Sequence, residues 1–335
     1  MKNRSRILAV ATLAIFLAAP AAAQRAIRIN LGTVVPEGSV WHEILLQMKQ
    51  DWTTLSNGRV RLNIFAGGKL GDDADMLRQV RIGKLQALAL TGIGLSLIDS
   101  NVDALHIPML FDSYEELDYV RDRLAPDLEA VLSAKGYTVL NWSDGGWVHF
   151  FTKKPAKTLD DLRGMKLWIS AGDPRTEKLY RDFDFQVVAV PVTDAHLQLQ
   201  TGAMNAIQMP PLFAMLDRFF ERAEYMTNIR WAQVMGGTVI SNKAWERIPA
   251  ELRPKLLEAA QRAGQETRAR IRKLGDDSIA QMVERGLVVV EADREAWLRE
   301  ATEVYPRLRG RLAPQPLFDK AIRLRDEYRA SSGGH

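Results

Sequence analysis

The sequence predicts an α/β fold in two lobes, and three features of the chain support this prediction. Strand and helix patterns alternate from residue 27 to residue 90. A second alternating series runs from residue 137 to residue 208. Residues 250–285 then carry one helical pattern with few helix-breaking residues. At a rise of 1.5 Å per residue, such a helix would extend about 50 Å, which is longer than one lobe is wide, so we expect it to connect the lobes.

The first series has the order strand, helix, strand, helix, strand. Apolar and polar residues alternate in Ile27–Gly32 and in Arg59–Phe65, as they do in half-buried strands. Helical periodicity marks Val40–Leu55 and Asp72–Ile82, and the second of these begins with acidic residues and ends before a glycine. Lys84–Leu90 has the pattern of a short buried strand. This order predicts a parallel sheet with helices on its faces.

The second series predicts another α/β unit. Its elements are, in chain order, strand 137–142, strand 166–170, helix 173–183, strand 186–190, helix 193–201 and strand 204–208. The helix near residue 173 has a clear start signal, because Asp173 is a good N-cap and Pro174 suits the first helical position. A chain with two such units is expected to form two lobes.

The N-terminus has the three parts of a secretory signal peptide. Basic residues come first, an apolar run of about a dozen residues follows, and small residues end in Ala21-Ala-Ala23. The apolar run is too short to span a bilayer. We therefore expect residues 1–23 to be removed and the mature protein to lie in the periplasm.

Charge and cysteine content exclude several classes of protein. The formal net charge of +4 includes Lys2, Arg4 and Arg6 of the signal peptide, so only +1 remains on the mature chain. This is not the charge of a nucleic-acid-binding protein. The chain has no cysteine, which excludes disulfides and a lipid-modified cysteine.

The sequence contains no motif of a catalytic, metal or cofactor site. Its five histidines have no metal-ligand spacing, and there is neither a nucleophile elbow nor a phosphate-binding loop. The acidic pairs 72–73 and 160–161 precede helical patterns, where acids cap helices. We therefore predict a protein that is not an enzyme, with no metal and no cofactor. The enzyme alternative is a periplasmic hydrolase or isomerase that uses Asp73 with His149.

Four motifs resemble a known family when they are taken together in this order. They are Ala66-Gly-Gly-Lys-Leu-Gly-Asp-Asp73, Ile107-Pro-Met-Leu-Phe111, the segment 154–167 that ends in Asp161-Leu-Arg-Gly-Met-Lys-Leu167, and Leu199-Gln-Thr-Gly-Ala-Met-Asn-Ala206. The chain resembles the periplasmic solute-binding proteins of TRAP transporters, the tripartite ATP-independent periplasmic systems. The resemblance covers nearly all of the mature chain.

The resemblance implies a fold and a set of partners. The fold is the two-lobed periplasmic binding protein fold, in which each lobe is a central sheet flanked by helices and the lobes are joined by hinge strands and a long helix. A small-molecule ligand is captured as the lobes close and is delivered to a small and a large membrane subunit. A related group of these systems also uses a periplasmic repeat protein. A sensor domain that signals through another membrane partner would share the same cleft.

The resemblance also suggests how the chain divides. We expect lobe one to comprise residues 24–145 plus about 235–275. Lobe two is then expected to comprise about 146–234 plus about 276–330.

The family pattern implies where the ligand is held, and this chain departs from it. The strand that follows Gly164-Met-Lys166 usually carries an arginine that grips a ligand carboxylate, and here that residue is Trp168. A second arginine position corresponds to Val148. In the run Ile207-Gln208-Met209-Pro210, methionine replaces an asparagine that contacts ligand.

Other family positions are mostly apolar in this chain as well. The loop after the first strand offers Val34 and Val35, whereas Asp73 and Thr91 remain polar. Further apolar surface is expected from Trp147, Phe213 and Trp231, and Gln208 supplies an amide beside Met209. The sequence therefore predicts a ligand that is apolar, aromatic or amphipathic.

An alternative is a receptor for an organic acid. The helix that begins at Asp173 has free N–H groups in its first turn, and Arg175 lies beside them. Together they are a possible anion site.

Overall fold

The computed structural model describes residues 26–331, and in this part of the chain eleven strands form two sheets. The predicted signal peptide lies outside the described residues. The strands are β1 Ile27–Thr33, β2 Val60–Phe65, β3 Ala87–Leu90, β4 Tyr137–Trp147, β5 His149–Thr152, β6 Lys166–Ser170, β7 Gln186–Val190, β8 Ala206–Met209, β9 Tyr225–Thr227, β10 Gln233–Ser241 and β11 Val288–Val290.

Helices cover both sheets. They are α1 Val40–Leu55, α2 Asp73–Arg81, α3 Gly92–Ile98, α4 Tyr114–Ala134, α5 Leu159–Arg163, α6 Pro174–Arg181, α7 Ala195–Thr201, α8 Pro211–Leu216, α9 Asn242–Glu246, α10 Arg253–Glu284, α11 Arg294–Glu303, α12 Tyr305–Leu308 and α13 Gln315–Ser331. Short 3-10 helices cover Ser100–Leu105, Val192–Asp194 and Phe219–Glu221. None of the helices within residues 26–331 combines the length and the apolar character that crossing a membrane requires.

The first lobe is built on a five-stranded sheet with the order β2-β1-β3-β10-β4. β1 pairs in parallel with β2 and β3, as the alternation of strands and helices predicts, and β10 runs antiparallel between β3 and β4. One apolar cluster on this sheet contains Met48 and Trp52 of α1, and another contains Leu117 and Leu124 of α4. The sheet is therefore covered by helices.

The second lobe is built on a six-stranded sheet with the order β11-β9-β5-β8-β6-β7. β6 pairs in parallel with β7 and β8, whereas β5 runs antiparallel to β8 and β9. One of its apolar clusters contains Phe150 and Trp297, and another contains Phe151 and Met226. Neighbouring residues of β5 thus pack into different clusters, as expected for a strand with both faces buried.

Two crossing segments join the sheets and pair with each other. Only Val148 separates β4 from β5, and residues 228–232 connect β9 to β10. The Val148 N–H donates to the Ala232 carbonyl at 2.8 Å, and the Trp231 N–H donates to the Val148 carbonyl at 2.9 Å. The crossing is therefore a two-stranded ribbon rather than two independent loops.

The long helix α10 is the third connection, as the sequence predicts. Its N-terminal half packs on the first lobe through Leu256, Ala259 and Ala260. Near its C-terminal end, Met282 belongs to an apolar cluster of the second lobe. The helix has 32 residues, so at 1.5 Å per residue it is about 48 Å long.

The C-terminal region differs from the predicted division of the chain, which assigned 276–330 to the second lobe. The last helix α13 packs against α4 of the first lobe instead, because Phe318, Ala321 and Leu324 join the same apolar cluster as Leu117. The chain thus returns to the first lobe after α11, whose Trp297 packs in the second.

Two glycines of α10 give a matched test of its packing. A Cβ on Gly264 would lie 2.6 Å from the Trp142 carbonyl oxygen, whereas a Cβ on Gly275 would have nothing within 4 Å. We expect Gly264→Ala to lower the free energy of unfolding by about 1–3 kcal/mol, since α10 must move off β4. Gly275→Ala should raise it by up to about 1 kcal/mol, since alanine favours a helix interior. Urea unfolding of both variants checks this, and equal effects would contradict the close approach.

Candidate ligand-binding cleft

A cavity of about 350 Å³ lies between the two lobes. It is bordered by the C-terminal ends of β1, β3, β6 and β8, where Val34, Thr91, Ser170 and Met209 lie. The crossing ribbon also lines it through Val148 and neighbouring residues. Ligands of open α/β sheets bind at the carboxyl ends of strands, so this is the candidate ligand site.

Nine of the residues that the sequence analysis selected line this cavity. They are Val34, Asp73, Thr91, Val148, Trp168, Gln208, Met209, Phe213 and Trp231. The other three selected residues, Val35, Trp147 and Arg175, do not line it. The sequence analysis therefore identified some of the residues that each lobe contributes to the cavity.

Trp168 is packed into the second lobe and also borders the cavity. Its side chain is 9% exposed and belongs to an apolar cluster with Met209. The indole N–H donates to the Val190 carbonyl at 3.0 Å, and this bond fixes the ring. The ring thus offers the cavity a rigid apolar surface.

A chain of hydrogen bonds fixes a second aromatic part of the cavity wall. The Trp231 indole N–H donates to the Tyr180 hydroxyl at 3.2 Å, and that hydroxyl donates to the Gln208 Oε1 at 2.9 Å. Burial raises the pKa of Tyr180, so its hydroxyl remains protonated and can donate. Phe185 packs against Tyr180 with ring centroids 5.2 Å apart. The polar tips are thus used within the wall, and the four side chains border the cavity.

Asp73 is a buried acid at the first-lobe side of the cavity. It is the first residue of α2, whose N-cap is Asp72. Its Oδ2 accepts from the Thr91 hydroxyl at 2.5 Å, and its Oδ1 is buried without a hydrogen-bond partner in the described structure. Burial is the main cause that raises the pKa of Asp73 to about 6, against the lowering effect of Thr91.

Gln233 is the second unpaired polar side chain of the cavity. It is 1% exposed, and neither its Oε1 nor its Nε2 has a hydrogen-bond partner among residues 26–331. It begins β10 directly after the crossing ribbon, opposite Trp147 of β4. Leaving buried amide atoms unpaired costs about 1–3 kcal/mol per group.

The charged residues around the cavity are mostly acids. The carboxylates are those of Asp72, Asp73, Asp103, Asp173, Asp217 and Glu300. Arg163 is the one arginine or lysine that lines the cavity in the described part of the chain. Its guanidinium is bound to Asp160 at 2.5 Å and to Glu300 at 3.4 Å. The cavity therefore offers no unpaired side-chain cation.

Arg175 is engaged in a contact between the lobes. From α6 of the second lobe, its guanidinium donates to Asp103, to the Ser96 hydroxyl and to the Leu312 carbonyl. Burial alone would raise the pKa of Asp103, but His106 and Arg175 outweigh it and lower that pKa. The first turn of α6 is capped by Asp173, whose side chain accepts from the Thr176 N–H at 3.0 Å. Both parts of the predicted anion site thus already have partners.

Trp147 and His149 border a separate cavity of about 80 Å³, and Val35 borders a third. The Trp147 ring packs on Tyr114, with centroids 5.1 Å apart. His149 donates from Nδ1 to the Thr227 carbonyl at 3.3 Å, and burial lowers its pKa to about 4. Because Asp73 lines the large cavity and His149 does not, the proposed catalytic pair does not share a site.

The sequence analysis missed the residues that α6 and β10 contribute. Thr176, Leu179, Tyr180 and Phe183 line the cavity with the spacing i, i+3, i+4, i+7. This spacing marks the face that a helix buries, which sequence alone cannot distinguish from a core-facing stripe. For Gln233, no pattern in the neighbouring sequence indicates that it lines a cavity.

A metal centre is not among the features of this cavity. No group of three or more histidine, aspartate or glutamate side chains in the described ranges is arranged to hold a metal ion.

The raised pKa of Asp73 predicts that the stability of the folded protein depends on pH. For an acid with a pKa raised from 3.8 to about 6, the folded state binds the proton more tightly than the unfolded state. Its stability therefore falls as the pH rises from about 4 to 6, by at most about 3 kcal/mol, and this loss persists at higher pH. Asp73→Asn should stabilise the protein at pH 7.5 more than at pH 4.5, as urea unfolding can measure.

The exposed Asp277 on α10 provides the control. The difference between the effects at the two pH values should be larger for Asp73→Asn, which removes a buried carboxylate, than for Asp277→Asn, which removes an exposed one. A pH-independent effect of Asp73→Asn would contradict the burial of an ionised group at this position.

Curated and solved proteins resemble this chain along most of its length. The 2,3-diketo-L-gulonate-binding periplasmic protein YiaO of Escherichia coli is 24% identical over 245 residues, covering 72% of this chain and 74% of YiaO. A TRAP periplasmic solute-binding protein from Ralstonia eutropha, solved with bound (S)-2-acetolactate, has a TM-score of 0.82 at 19% identity and covers 90% and 99% of the two chains. One from Chromohalobacter salexigens, solved with D-glucuronate, has a TM-score of 0.81 at 18% identity, covering 89% and 99%.

A family model supports the same relationship. The model for bacterial extracellular solute-binding protein family 7, DctP, matches residues 31–310. Members of this family are periplasmic transport proteins rather than enzymes, and they deliver small ligands to TRAP membrane subunits. Since the match spans most of the chain and the two-lobed fold agrees with it, this protein belongs to the DctP family of TRAP solute-binding proteins.

Proposed function

We propose that this receptor captures a small solute that is apolar, aromatic or amphipathic rather than a simple organic acid. It delivers this solute to the TRAP membrane subunits, directly or through a periplasmic repeat protein. The observation that carries the proposal is the composition of the cavity between the lobes. Its walls carry aromatic and aliphatic side chains beside six carboxylates, and the one arginine that lines it in the described part of the chain is already paired with acids.

The free energies favour an apolar ligand. A ligand carboxylate in this cavity would lose its water without gaining a cation, and truncating one partner of a buried pair costs about 2–5 kcal/mol. The lining carboxylates would repel it further. Apolar ligand surface instead gains about 25 cal/mol for each Å² that is buried. Trp168, Phe213 and Trp231 provide such surface.

The relatives that hold acids do not decide the ligand of this chain. The two solved structures named above hold acetolactate and glucuronate, and at 18–19% identity their likeness extends to the fold alone. Ligand choice depends on individual cleft side chains. The acid alternative rests on Arg175, whose guanidinium contacts Asp103 and Ser96.

Binding of a neutral aromatic probe tests the proposal. We expect N-phenyl-1-naphthylamine to bind the wild type, measured by its fluorescence, and succinate to show no binding by calorimetry. Trp168→Ala should weaken probe binding by about 1–3 kcal/mol, the scale for burying a large apolar side chain. Circular dichroism should establish that the variant is folded.

Trp245 provides a matched control for this prediction. It lies in α9 and packs near Trp52, with centroids 6.2 Å apart, and it does not line the large cavity. Trp245→Ala should therefore leave probe affinity unchanged. Micromolar binding of succinate that is insensitive to Trp168→Ala would overturn the proposal and favour an acid receptor.

A further inference from the structure

Helix α6 belongs to the second lobe but also packs on the first. It connects β6 to β7 of the second sheet, yet its Leu179 joins the first-lobe apolar cluster that contains Leu117. Phe183, just after the helix, packs against clusters of both lobes. In the loop before the helix, a Cβ on Gly172 would lie 3.3 Å from the Asp72 Oδ2 of the first lobe. The two lobes are therefore in contact along this helix.

Arg175 of α6 directs its hydrogen bonds across this contact. In the described residues, its guanidinium donates to the Asp103 carboxylate, the Ser96 hydroxyl and the Leu312 carbonyl, and to no acceptor in the second lobe. The three acceptors lie in the first lobe, where Leu312 and Val102 belong to one apolar cluster. Arg175 thus joins the lobes through its side chain.

Asp103 is held in place by residues of its own lobe. Its Oδ2 accepts from the Ser96 hydroxyl at 2.6 Å, and its Oδ1 lies 3.1 Å from the His106 Nδ1. The His106 Nε2 accepts from the Met235 N–H at 3.3 Å, so the ring proton is on Nδ1 and is donated to Asp103. Because the carboxylate is already oriented, it loses little side-chain freedom when it pairs with Arg175.

A second ion pair at the other end of α6 is more exposed. Asp182, the C-cap of the helix, pairs with Arg311, and their side chains are 34% and 41% exposed. Exposed pairs contribute little to stability because water screens them. The Asp103 side chain is only 8% exposed, so its pair with Arg175 is screened less. Of these two ion pairs, the one with Arg175 is expected to hold α6 more strongly.

We propose that Arg175 is a positioning residue that latches the two lobes together, and that its pair with Asp103 sets the ratio of closed to open protein. When the lobes separate, Arg175 loses its three acceptors, whereas Asp103 keeps its bonds to Ser96 and His106. Arg175 does not line the cavity, so the latch acts on the lobes and not on the ligand. The apparent affinity for a solute that binds the closed form is proportional to the closed fraction, so loss of the latch weakens binding by the same factor.

The distance between two spin labels, one on each lobe, tests this inference in the ligand-free protein. The chain contains no cysteine, so labels attach only at the introduced Arg78→Cys and Thr193→Cys. Both positions are exposed, one on α2 of the first lobe and one just after β7 of the second. Pulsed electron paramagnetic resonance measures the closed and open populations. We expect Arg175→Gln to lower the ratio of closed to open protein about fivefold or more, as for residues coupled in one hydrogen-bond network.

Two further variants in the same labelled protein control this experiment. Arg175→Lys should lie between the wild type and Arg175→Gln, because lysine keeps the charge but lacks the fork of donors. Arg181→Gln is the matched control on the same helix, since Arg181 donates to Glu177 and to the Val187 carbonyl within the second lobe. It should leave the distances unchanged. Circular dichroism should establish that each variant is folded.

The distance distributions decide the inference without reference to the ligand. Identical distributions for the wild type and Arg175→Gln, whether closed or open, would overturn the role of Arg175 as a latch. An equal shift in Arg181→Gln would overturn it as well, because that residue makes no bond between the lobes in the described structure. Neither result changes the proposed function, which concerns the solute that the cavity holds.

Discussion

The pairing of the two crossing segments is the constraint on which the rest of the structure depends. Val148 exchanges backbone hydrogen bonds with Trp231 and Ala232, so the connection between the lobes is a ladder of fixed register. The same residues line the cavity between the lobes. The hinge and the floor of the candidate site are therefore one structure. A ligand that contacts this floor therefore also contacts the segments that join the lobes, so its binding free energy can depend on how the lobes are arranged.

The long helix stabilises this arrangement from behind through a buried charge. The Arg272 Nε donates at 2.7 Å to Asp144, whose side chain is fully buried, and the guanidinium also pairs with Asp118. Burial raises the pKa of Asp144, and Arg272 opposes that rise. Removing one partner of such a pair typically costs about 3–5 kcal/mol, because the other charge remains buried. This clamp holds α10 to the first lobe as far as Arg272. Beyond Arg272 the same helix reaches the second lobe, where Met282 packs in an apolar cluster.

Local patterns predicted the fold well because strands and helices follow from periodicity and caps. Val40–Leu55, Lys166–Ser170 and Gln186–Val190 have the predicted bounds, and Asp173 caps α6 as expected. Features set by distant contacts were not predictable in this way. Arg175 has its partner Asp103 at a separation of 72 residues, so its guanidinium looked free in the sequence. Likewise, whether the Gln233 amide finds a hydrogen-bond partner depends on which residues the fold places around it. The docking of α13 on the first lobe depends on apolar residues that suit either lobe equally.

A shared fold and a different ligand are compatible because the two depend on different atoms. The family fold fixes where strand ends meet and how the lobes are joined, mainly through backbone hydrogen bonds and apolar clusters. Ligand choice depends on the few side chains that remain unpaired at that place. Here the arginines near the cavity form ion pairs within the protein. Arg163 pairs with Glu300, and Arg175 pairs with Asp103. Among the lining residues of the described structure, the buried polar atoms without a hydrogen-bond partner are the two amide atoms of Gln233 and one oxygen of Asp73. On the proposed function, a cleft whose arginines are paired within the protein and whose lining includes carboxylates would disfavour the anions that the solved relatives hold.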